Sequence, residues 1–308
     1  LGHPKLVTWL QLISLLIKIP LSIWFTFGGL GLAPLGAVGC ALATLLVNYT
    51  MFAVALWLMR TQDFYAPLAL WQRLERPDWL QLGRFCRLGI PAGLAILVEV
   101  TSFTLMALYV ARQGSLSSAS HQIAANLAAI CYMVPLSLAI ATSARVSYWR
   151  GAGDEAQART LIQQCFKLAL LIGIATAATL LIARTWIADI YTDSPRVLAM
   201  TSWLLICVAA YHVADCVQTY CIFVLRCYRV TVAPLVIYCL LLWGGGLGLG
   251  YWLTYRWQAA EGWRDWQATP MPLWVCSAAA LFVTAMAFSS ILHRAIRPPK
   301  PQAEPSAS

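Results

Sequence analysis

Charged residues are scarce in this sequence, and acids are the scarcer kind. The 308 residues include 21 Lys and Arg and 12 Asp and Glu, and charged residues make up only 11% of the chain. A soluble domain typically has about 25% charged residues. Hydrophobic residues account for 60% of the chain. This balance excludes an ordinary soluble domain and predicts a protein that crosses a membrane several times.

Sequence motifs for nucleotide-driven or metal-dependent chemistry are also missing. The chain has no Walker A motif, no dinucleotide-type glycine fingerprint, no HExxH motif and no CxxC pair among its ten cysteines. Most of the cysteines lie in apolar runs, where Cys behaves as a small hydrophobic residue. No nucleophile–base pair is evident. The sequence therefore predicts a protein that is not an enzyme, is not driven directly by ATP and has no cofactor beyond a coupling ion.

Long apolar runs predict eight transmembrane helices. A bilayer core of roughly 30 Å requires about 20 helical residues, whereas a barrel would show short alternating segments. The expected spans are about 6–27, 35–59, 88–111, 120–148, 161–183, 197–225, 232–253 and 271–292. The predicted fold class is an all-α integral membrane protein.

Two stretches are too polar to span a membrane. Residues 60–87 contain five arginines and two prolines, which is typical of a linker between two helical bundles. Within it, residues 78–87 have the pattern of a short amphipathic helix at the membrane interface, with Trp79 as an anchor. Residues 294–308 are basic and then rich in proline, and we expect a disordered tail there.

The basic residues indicate how the chain is oriented in the membrane. With eight spans, both ends lie on one side, and 15 of the 21 Lys and Arg residues fall on that side. The positive-inside rule then predicts that both termini are cytoplasmic. The net charge of +9 is explained by these short loops and does not indicate nucleic-acid binding.

Glu99 lies near the middle of the span 88–111. An acid at the centre of a bilayer costs about 2.5–3.5 kcal/mol on insertion scales, so it usually has a function or a buried partner. We expect Glu99 to bind a proton or another cation and to exchange it. A static ion pair or a hydrogen bond between helices is the alternative.

Asp215 is a second acid deep within a span, 197–225. Tyr211 lies four residues before it and Gln218 three residues after it, so the three side chains share one helical face. Carboxylate, hydroxyl and amide oxygens are hard ligands suited to Na⁺ or a proton. The sequence therefore predicts a cation site at Asp215 with Tyr211 beside it, and a polar contact between helices is the alternative.

Other side chains are weaker candidates. Gln122 and Asn126 could contact a substrate, although such residues more often join helices. Lys18, inside the first span, either pairs with an acid or extends to the interface. Aromatic and thioether groups could line a cavity for flat organic cations, and they belong to Phe103, Met106, Tyr109, Tyr132 and Met133.

Four stretches resemble the bacterial branch of the multidrug and toxic compound extrusion (MATE) family. They are APLGAVGCALAT at 33–44, FCRLGIPAGLAILVEVTSF at 85–103, ASHQIAANLAAICYMVPLSLAIATSARV at 119–146 and YHVADCVQ at 211–218. Their order and spacing resemble the family over most of the chain. The chain departs from the family at 146–153 (VSYWRGAG) and at Lys18, where Asn is usual.

The resemblance implies a particular place for this chain within a larger fold. Members have twelve helices in two six-helix lobes. This chain would supply the last two helices of the N-terminal lobe (1–59), the cytoplasmic interlobe loop (60–87), the six-helix C-terminal lobe (88–293) and a tail (294–308). Helices one to four would precede it, so we expect an N-terminally truncated fragment.

The resemblance also implies a function. Glu99, Asp215 and Tyr211 match the family's cation-binding residues, with Na⁺ at Glu99 and Asp215 as one expectation and H⁺ as the other. The chain would export organic, often cationic, drugs across the bacterial inner membrane as a monomer. The alternatives are a lipid-linked oligosaccharide or polysaccharide flippase of the same superfamily, and a membrane fragment that transports nothing.

Overall fold

A computed structural model describes residues 4–29, 31, 33–61, 77–258 and 260–297 of the chain. The chain divides into two compact units, Leu1–Asp78 and Trp79–Ser308. The first unit contains α1 (Pro4–Phe27) and α2 (Gly36–Thr61). The second contains α3 (Trp79–Ala111), α4 (Ser115–Gly151), α5 (Glu155–Ile182), α6 (Arg184–Tyr191), α7 (Pro195–Cys227), α8 (Val232–Tyr238), a π-helical segment (Cys239–Gly248), α9 (Leu249–Tyr255), a 3₁₀ turn (Glu261–Trp263), α10 (Arg264–Gln267) and α11 (Met271–Ala295).

Eight helices among the described residues are long and apolar enough to cross a membrane. They are Thr8–Phe27, Gly36–Thr61, Trp79–Ala111, Ser115–Gly151, Glu155–Ile182, Pro195–Cys227, Val232–Tyr255 and Met271–Ala295. Each predicted span overlaps one of them, so the predicted all-α membrane fold with eight spans is confirmed.

The start of the third span was predicted wrongly. α3 begins at Trp79 and continues to Ala111, so residues 79–87 are its first turns and not a separate interfacial helix. The reason is that no residue from Trp79 to Pro91 stops the helix, and a proline is tolerated inside a membrane helix. The predicted boundary between 60–87 and 88–293 therefore falls within α3. Residues 62–76 of the predicted linker lie outside the described residues.

The boundary between the last lobe and the tail also needs a small correction. α11 continues to Ala295, so the first residues of the predicted tail 294–308 are helical. Residues 298–308 lie outside the described part of the chain.

In the first unit, α1 and α2 form a hairpin held by close backbone packing. A Cβ atom added at Gly39 would lie 2.2 Å from the carbonyl oxygen of Phe25. The Trp24 indole donates a hydrogen bond of 2.7 Å to the Gly29 carbonyl at the turn. The start of α2 therefore packs closely against α1 at Gly39. Gly36 has no such neighbour, but its φ of 57° lies in the left-handed region that favours glycine.

In the second unit, α7 is the central helix and packs against α4, α5 and α11. Its sequence is apolar or small on nearly every face, which is typical of a helix surrounded by other helices. Leu204, Leu205 and Leu225 are fully buried along its length. Asp215 is carried on this helix, and the central position explains why its side chain is only 4% exposed.

Two helices in this unit begin at residues that favour a helix N-terminus. Asp154 caps α5, because its carboxylate accepts a hydrogen bond of 2.9 Å from the Gln157 amide. Ser194 occupies the N-cap of α7 and Pro195 is its first residue, but the Ser194 side chain makes no capping hydrogen bond. Proline at this position is still favourable because it has no N–H to leave unpaired.

Arg150 joins the ends of three helices. Its guanidinium lies 3.0 Å from the Glu155 carboxylate of α5 and donates a hydrogen bond to the Cys227 carbonyl at the end of α7. It also lies 4.1 Å from the ring centroid of Tyr228. Burial and the Glu155 charge raise the pKa of the Tyr228 phenol, and the Arg150 charge opposes them. This cluster stabilises α4, α5 and α7 against one another.

The seventh span is built from α8, the π-helical segment and α9. A Cβ atom at Gly250 would lie 3.0 Å from Leu273 Cδ2, and one at Gly246 would lie 3.5 Å from the Cα atom of Ser277. The glycines therefore let this span approach α11 closely. A π-helical turn is rare and often occurs at a functional site. Here it directly follows Tyr238, the last residue of α8.

We predict that Gly39→Ala destabilises the first unit by about 1–3 kcal/mol, the cost of overpacking, because the added methyl group collides with backbone atoms of α1. Thermal unfolding of the purified protein in detergent measures the effect. Gly93→Ala in α3 is the matched control, since its Cβ atom would meet nothing within 4 Å. Equal unfolding midpoints for the two variants would contradict the packing argument.

Candidate functional site

Helices α3, α4 and α7 enclose a cavity of about 530 Å³. Pockets for drug-sized molecules usually have volumes of about 300–1,000 Å³. α4 lines the cavity with the small residues Ala125, Ala128 and Ala129, which leave the space open. α3 contributes Glu99 and α7 contributes Asp215. The two acids predicted from the sequence therefore face one cavity.

Glu99 and Asp215 share a single hydrogen-bond donor. The Gln218 side-chain nitrogen lies 2.9 Å from Asp215 Oδ1 and 3.3 Å from Glu99 Oε1. The same nitrogen lies 3.1 Å from the Thr219 hydroxyl. An amide nitrogen carries only two hydrogens, so these three acceptors compete for them. Gln218 thus joins the two acids. The structure places Gln218 beside Asp215, as predicted from the sequence.

Tyr238 holds the Gln218 amide in this orientation. Its hydroxyl donates a hydrogen bond to Gln218 Oε1, and both side chains are 0% exposed. With the oxygen occupied by this donor, the nitrogen must face the acids. Sequence reasoning missed Tyr238, because one tyrosine in an apolar span gives no signal that separates a hydrogen-bonding role from ordinary packing.

Tyr211 lies one turn before Asp215 on α7 and lines the same cavity. Its ring makes edge contacts with Phe103 and Trp274, at centroid distances of 5.7 Å and 5.9 Å. The Trp274 indole donates a hydrogen bond of 3.2 Å to Nδ1 of the buried His121. This aromatic packing fixes the position of the Tyr211 phenol beside the two acids.

Arg226 adds a positive charge at the edge of the cavity. Its guanidinium lies 4.7 Å from the Phe223 ring centroid, and it attracts the Glu99 carboxylate. The Arg226 Nε atom is buried and has no hydrogen-bond partner in the part of the chain that the structure describes. When both acids are ionised, their two negative charges outnumber the one guanidinium charge, which favours a bound cation.

The weaker candidates lie elsewhere. Asn126 accepts a hydrogen bond of 3.1 Å from the Tyr191 hydroxyl, which joins α4 to α6, so the structure places it in a contact between helices. Gln122 is exposed, one turn earlier on α4, and does not line the cavity. Lys18 belongs to α1 in the first unit, where its side chain is half-buried.

Of the five predicted aromatic and thioether residues, Phe103 and Tyr132 line the cavity. Met106 is buried in the core and Met133 is 55% exposed. Tyr109 packs against Tyr251, with ring centroids 5.0 Å apart. The cavity thus has an aromatic wall, but it is built from fewer of these residues than expected.

The two acids and the neighbouring hydroxyl groups offer oxygen atoms as ligands for a cation. Within the described ranges, no group of three or more His, Cys, Asp or Glu side chains comes together. A transition metal would need such a set of nitrogen, sulfur or carboxylate ligands. The carboxylates of Glu99 and Asp215 and the hydroxyls of Tyr211 and Thr219 are oxygen ligands that suit Na⁺ or a proton.

The membrane-spanning helices, with two acids that face one cavity between them, define a multipass membrane protein with a buried acidic site. The sequence model of the MatE family matches residues 91–252, which is more than half of the chain. The chain belongs to the MatE family. Proteins of this family are transporters, and the chain is not an enzyme.

Curated relatives and solved structures agree with this assignment. The chain is 35% identical over 303 residues to the "Probable multidrug resistance protein NorM" of Aromatoleum aromaticum, covering 97% of this chain and 64% of the relative. It is 34% identical over 241 residues to the "Multidrug resistance protein MdtK" of Yersinia pseudotuberculosis, covering 78% of this chain and 53% of the relative.

A crystal structure of a MATE protein in the straight conformation has the same fold. The TM-score is 0.80 at 18% identity, and the match covers 96% of this chain and 63% of that chain. The chain thus spans less than two thirds of the length of these relatives. The roles of Glu99, Asp215 and Tyr211 in binding a cation remain predictions.

We predict that Tyr238→Phe destabilises the second unit by about 1–3 kcal/mol, because the buried Gln218 oxygen loses its donor. Tyr148→Phe is the control, since Tyr148 is 62% exposed. Thermal unfolding in detergent, monitored by circular dichroism, compares the two variants. If Tyr238→Phe unfolds at the same temperature as the control, the hydrogen bond does not hold the amide.

Proposed function

We propose that this chain is part of a cation-coupled multidrug efflux antiporter. The observation that supports it best is the sharing of the Gln218 amide by Glu99 and Asp215 in a cavity of about 530 Å³. The names of the relatives, which are multidrug resistance proteins, point to the same class of substrate. The driving force is a gradient of Na⁺ or H⁺ and not ATP.

The coupling ion is bound where the two acids meet. Two ionised carboxylates that share one donor repel each other, and in a site of low dielectric constant that repulsion is strong. A proton or Na⁺ between them removes it. The Tyr211 phenol lies beside the acids and supplies a further oxygen. The site therefore gains most from binding one small cation.

An organic cation occupies the same cavity. Phe103 and Tyr132 offer aromatic faces for a flat cation, and the alanines of α4 leave room for it. Because drug and coupling ion are attracted by the same negative charge, binding of one weakens binding of the other. Such competition at one site is what an antiporter requires, provided that the site opens to each side of the membrane in turn.

The resemblance to the family supports a place for each unit. α1 and α2 correspond to the last two helices of the N-terminal lobe, and the unit that begins at Trp79 corresponds to the C-terminal lobe. Residues 62–78 are then the interlobe connection. The protein works as a monomer in the bacterial inner membrane, with both termini of this chain cytoplasmic, in agreement with the positive charge on that side.

The flippase alternative needs a cavity dominated by basic and polar groups. Arg226 supplies one basic group, but two carboxylates outnumber it. A fragment without transport activity would use Glu99 and Asp215 only to join α3 and α7. The charge of the cavity favours the antiporter over both alternatives.

We predict that Glu99→Gln and Asp215→Asn each abolish drug efflux. The experiment expresses the complete reading frame in bacteria without their own drug pumps and measures accumulation of ethidium, a fluorescent organic cation. Unmutated protein lowers accumulation, and each variant returns it to the level of cells without the gene. Asp189→Asn is the control, because Asp189 is an exposed acid of α6 outside the cavity.

The coupling ion is identified in membrane vesicles with an imposed Na⁺ or pH gradient. Efflux should follow one of the two gradients in the unmutated protein. If Glu99→Gln and Asp215→Asn both keep efflux and its ion dependence, the coupling proposal is wrong. If unmutated protein fails to lower ethidium accumulation and its loss causes a cell-wall or capsule defect, the flippase alternative is correct.

A further inference from the structure

A second concavity lies between α5 and α11, separate from the cavity that contains Glu99 and Asp215. Its volume is about 330 Å³. α5 and α11 both pack against α7. The Tyr220 hydroxyl of α7 donates a hydrogen bond of 2.8 Å to the Ile162 carbonyl, and Cys221 Sγ lies 3.6 Å from Ser289 Oγ. We call this concavity the α5–α11 groove.

Polar side chains form one row of the groove. Gln163 and Lys167 are four residues apart on α5, and Ser289 and His293 are four residues apart on α11. Because residues four apart share a helical face, the two pairs face the groove together. All four side chains can donate a hydrogen bond, and none of the lining residues is an acid. The row is suited to an anion.

Apolar side chains form a second row beside the first. Ile162 and Phe166 come from α5, and Leu292 and Ile296 come from α11. Each apolar residue is the neighbour in sequence of a polar one or lies one turn from it. A ligand that fills the groove must therefore have an anionic part and an apolar part side by side.

By helix length, the groove extends from the headgroup boundary at His293 to about 7 Å inside the hydrocarbon core at Lys167. Lys167 lies about 23 Å along the helix axis from Ile182, the far end of α5, and a bilayer core is roughly 30 Å thick. His293 lies in the last turn of α11. Both basic side chains are therefore close to the membrane boundary at the end of the bundle where α11 ends.

One more basic residue lies close by. Arg159 is one turn before Gln163 on α5, and its buried Nε atom has no hydrogen-bond partner among the residues described. It extends the row of donors towards the end of the bundle.

We propose that the α5–α11 groove binds an anionic phospholipid. The phosphodiester accepts hydrogen bonds from the row of Gln163, Lys167, Ser289 and His293, and the start of an acyl chain packs on the apolar row. The walls are faces of membrane-spanning helices, so phospholipids are the amphiphiles that reach them. A zwitterionic headgroup fits less well because its ammonium group meets Lys167 and finds no carboxylate in the lining.

The test compares phosphatidylglycerol with phosphatidylcholine on the purified full chain. The protein, in neutral detergent micelles, receives equal amounts of the two lipids with the same acyl chains, and native mass spectrometry counts the lipids that stay bound. Unmutated protein should retain about fivefold to thirtyfold more phosphatidylglycerol, the range for one to two positively charged side chains near an anionic headgroup. The double variant K167Q/H293Q should retain both lipids equally.

Three control variants keep the result decisive. R145Q/R184Q removes two basic side chains that do not line the groove, and it should keep the preference. K167R/H293K leaves both positions basic and should also keep the preference for phosphatidylglycerol. E99Q changes the acid pair but should bind lipid normally, so failure of the transport proposal does not affect this one.

Two results would overturn the proposal. One is equal retention of the two lipids by the unmutated protein. The other is loss of the preference in R145Q/R184Q or in K167R/H293K, since that would assign the effect to net charge or to the fold. Elution as a single species in size-exclusion chromatography shows that each variant is folded.

Discussion

The side-chain amide of Gln218 makes it possible to bury two acids together in this protein. Each carboxylate, once removed from water, needs a hydrogen-bond donor, and an unsatisfied one costs several kcal/mol. The Gln218 nitrogen serves both Asp215 and Glu99, at 2.9 Å and 3.3 Å. The Thr219 hydroxyl is the other side-chain hydrogen-bonding group beside Asp215. Because the two acids depend on so few donors, they are the basis of the proposed cation site.

The surrounding structure keeps that amide in place. Tyr238 occupies the amide oxygen from the end of α8, and the glycines that follow bring the seventh span close to α11. α7, which carries both Asp215 and Gln218, is held between α4, α5 and α11. A change in the packing of the seventh span would therefore reach the acids through the hydrogen bond of Tyr238 and through the bond from the Trp243 indole to the Val98 carbonyl, next to Glu99.

Much of this architecture could be predicted from the sequence, because its strongest signals are long apolar runs and isolated acids within them. Eight spans followed from the first signal, and the shared face of Tyr211, Asp215 and Gln218 followed from helical periodicity. Pairwise contacts between distant segments could not be predicted in the same way. In the sequence, Tyr238 is one tyrosine in an apolar span and Arg226 is one arginine at the end of a span. Only the fold shows that both lie near the acids. The start of α3 was missed because arginines and an interfacial tryptophan indicate where the membrane begins. They do not indicate where a helix begins, and α3 extends beyond that boundary.

The unbroken length of α3 has a mechanical consequence. The residue that follows the first unit, Trp79, and the acid Glu99 lie on one helix, about 30 Å apart at 1.5 Å per residue. Such a rod works as a lever. A tilt of about 10° at one end displaces the other by about 5 Å over that length, which is more than a hydrogen bond can follow. Pro91 lies between the two ends and lacks the N–H that would join it to the preceding turn, so a bend of about 10° at Pro91 alone would move Glu99 on a shorter arm of about 12 Å, by about 2 Å.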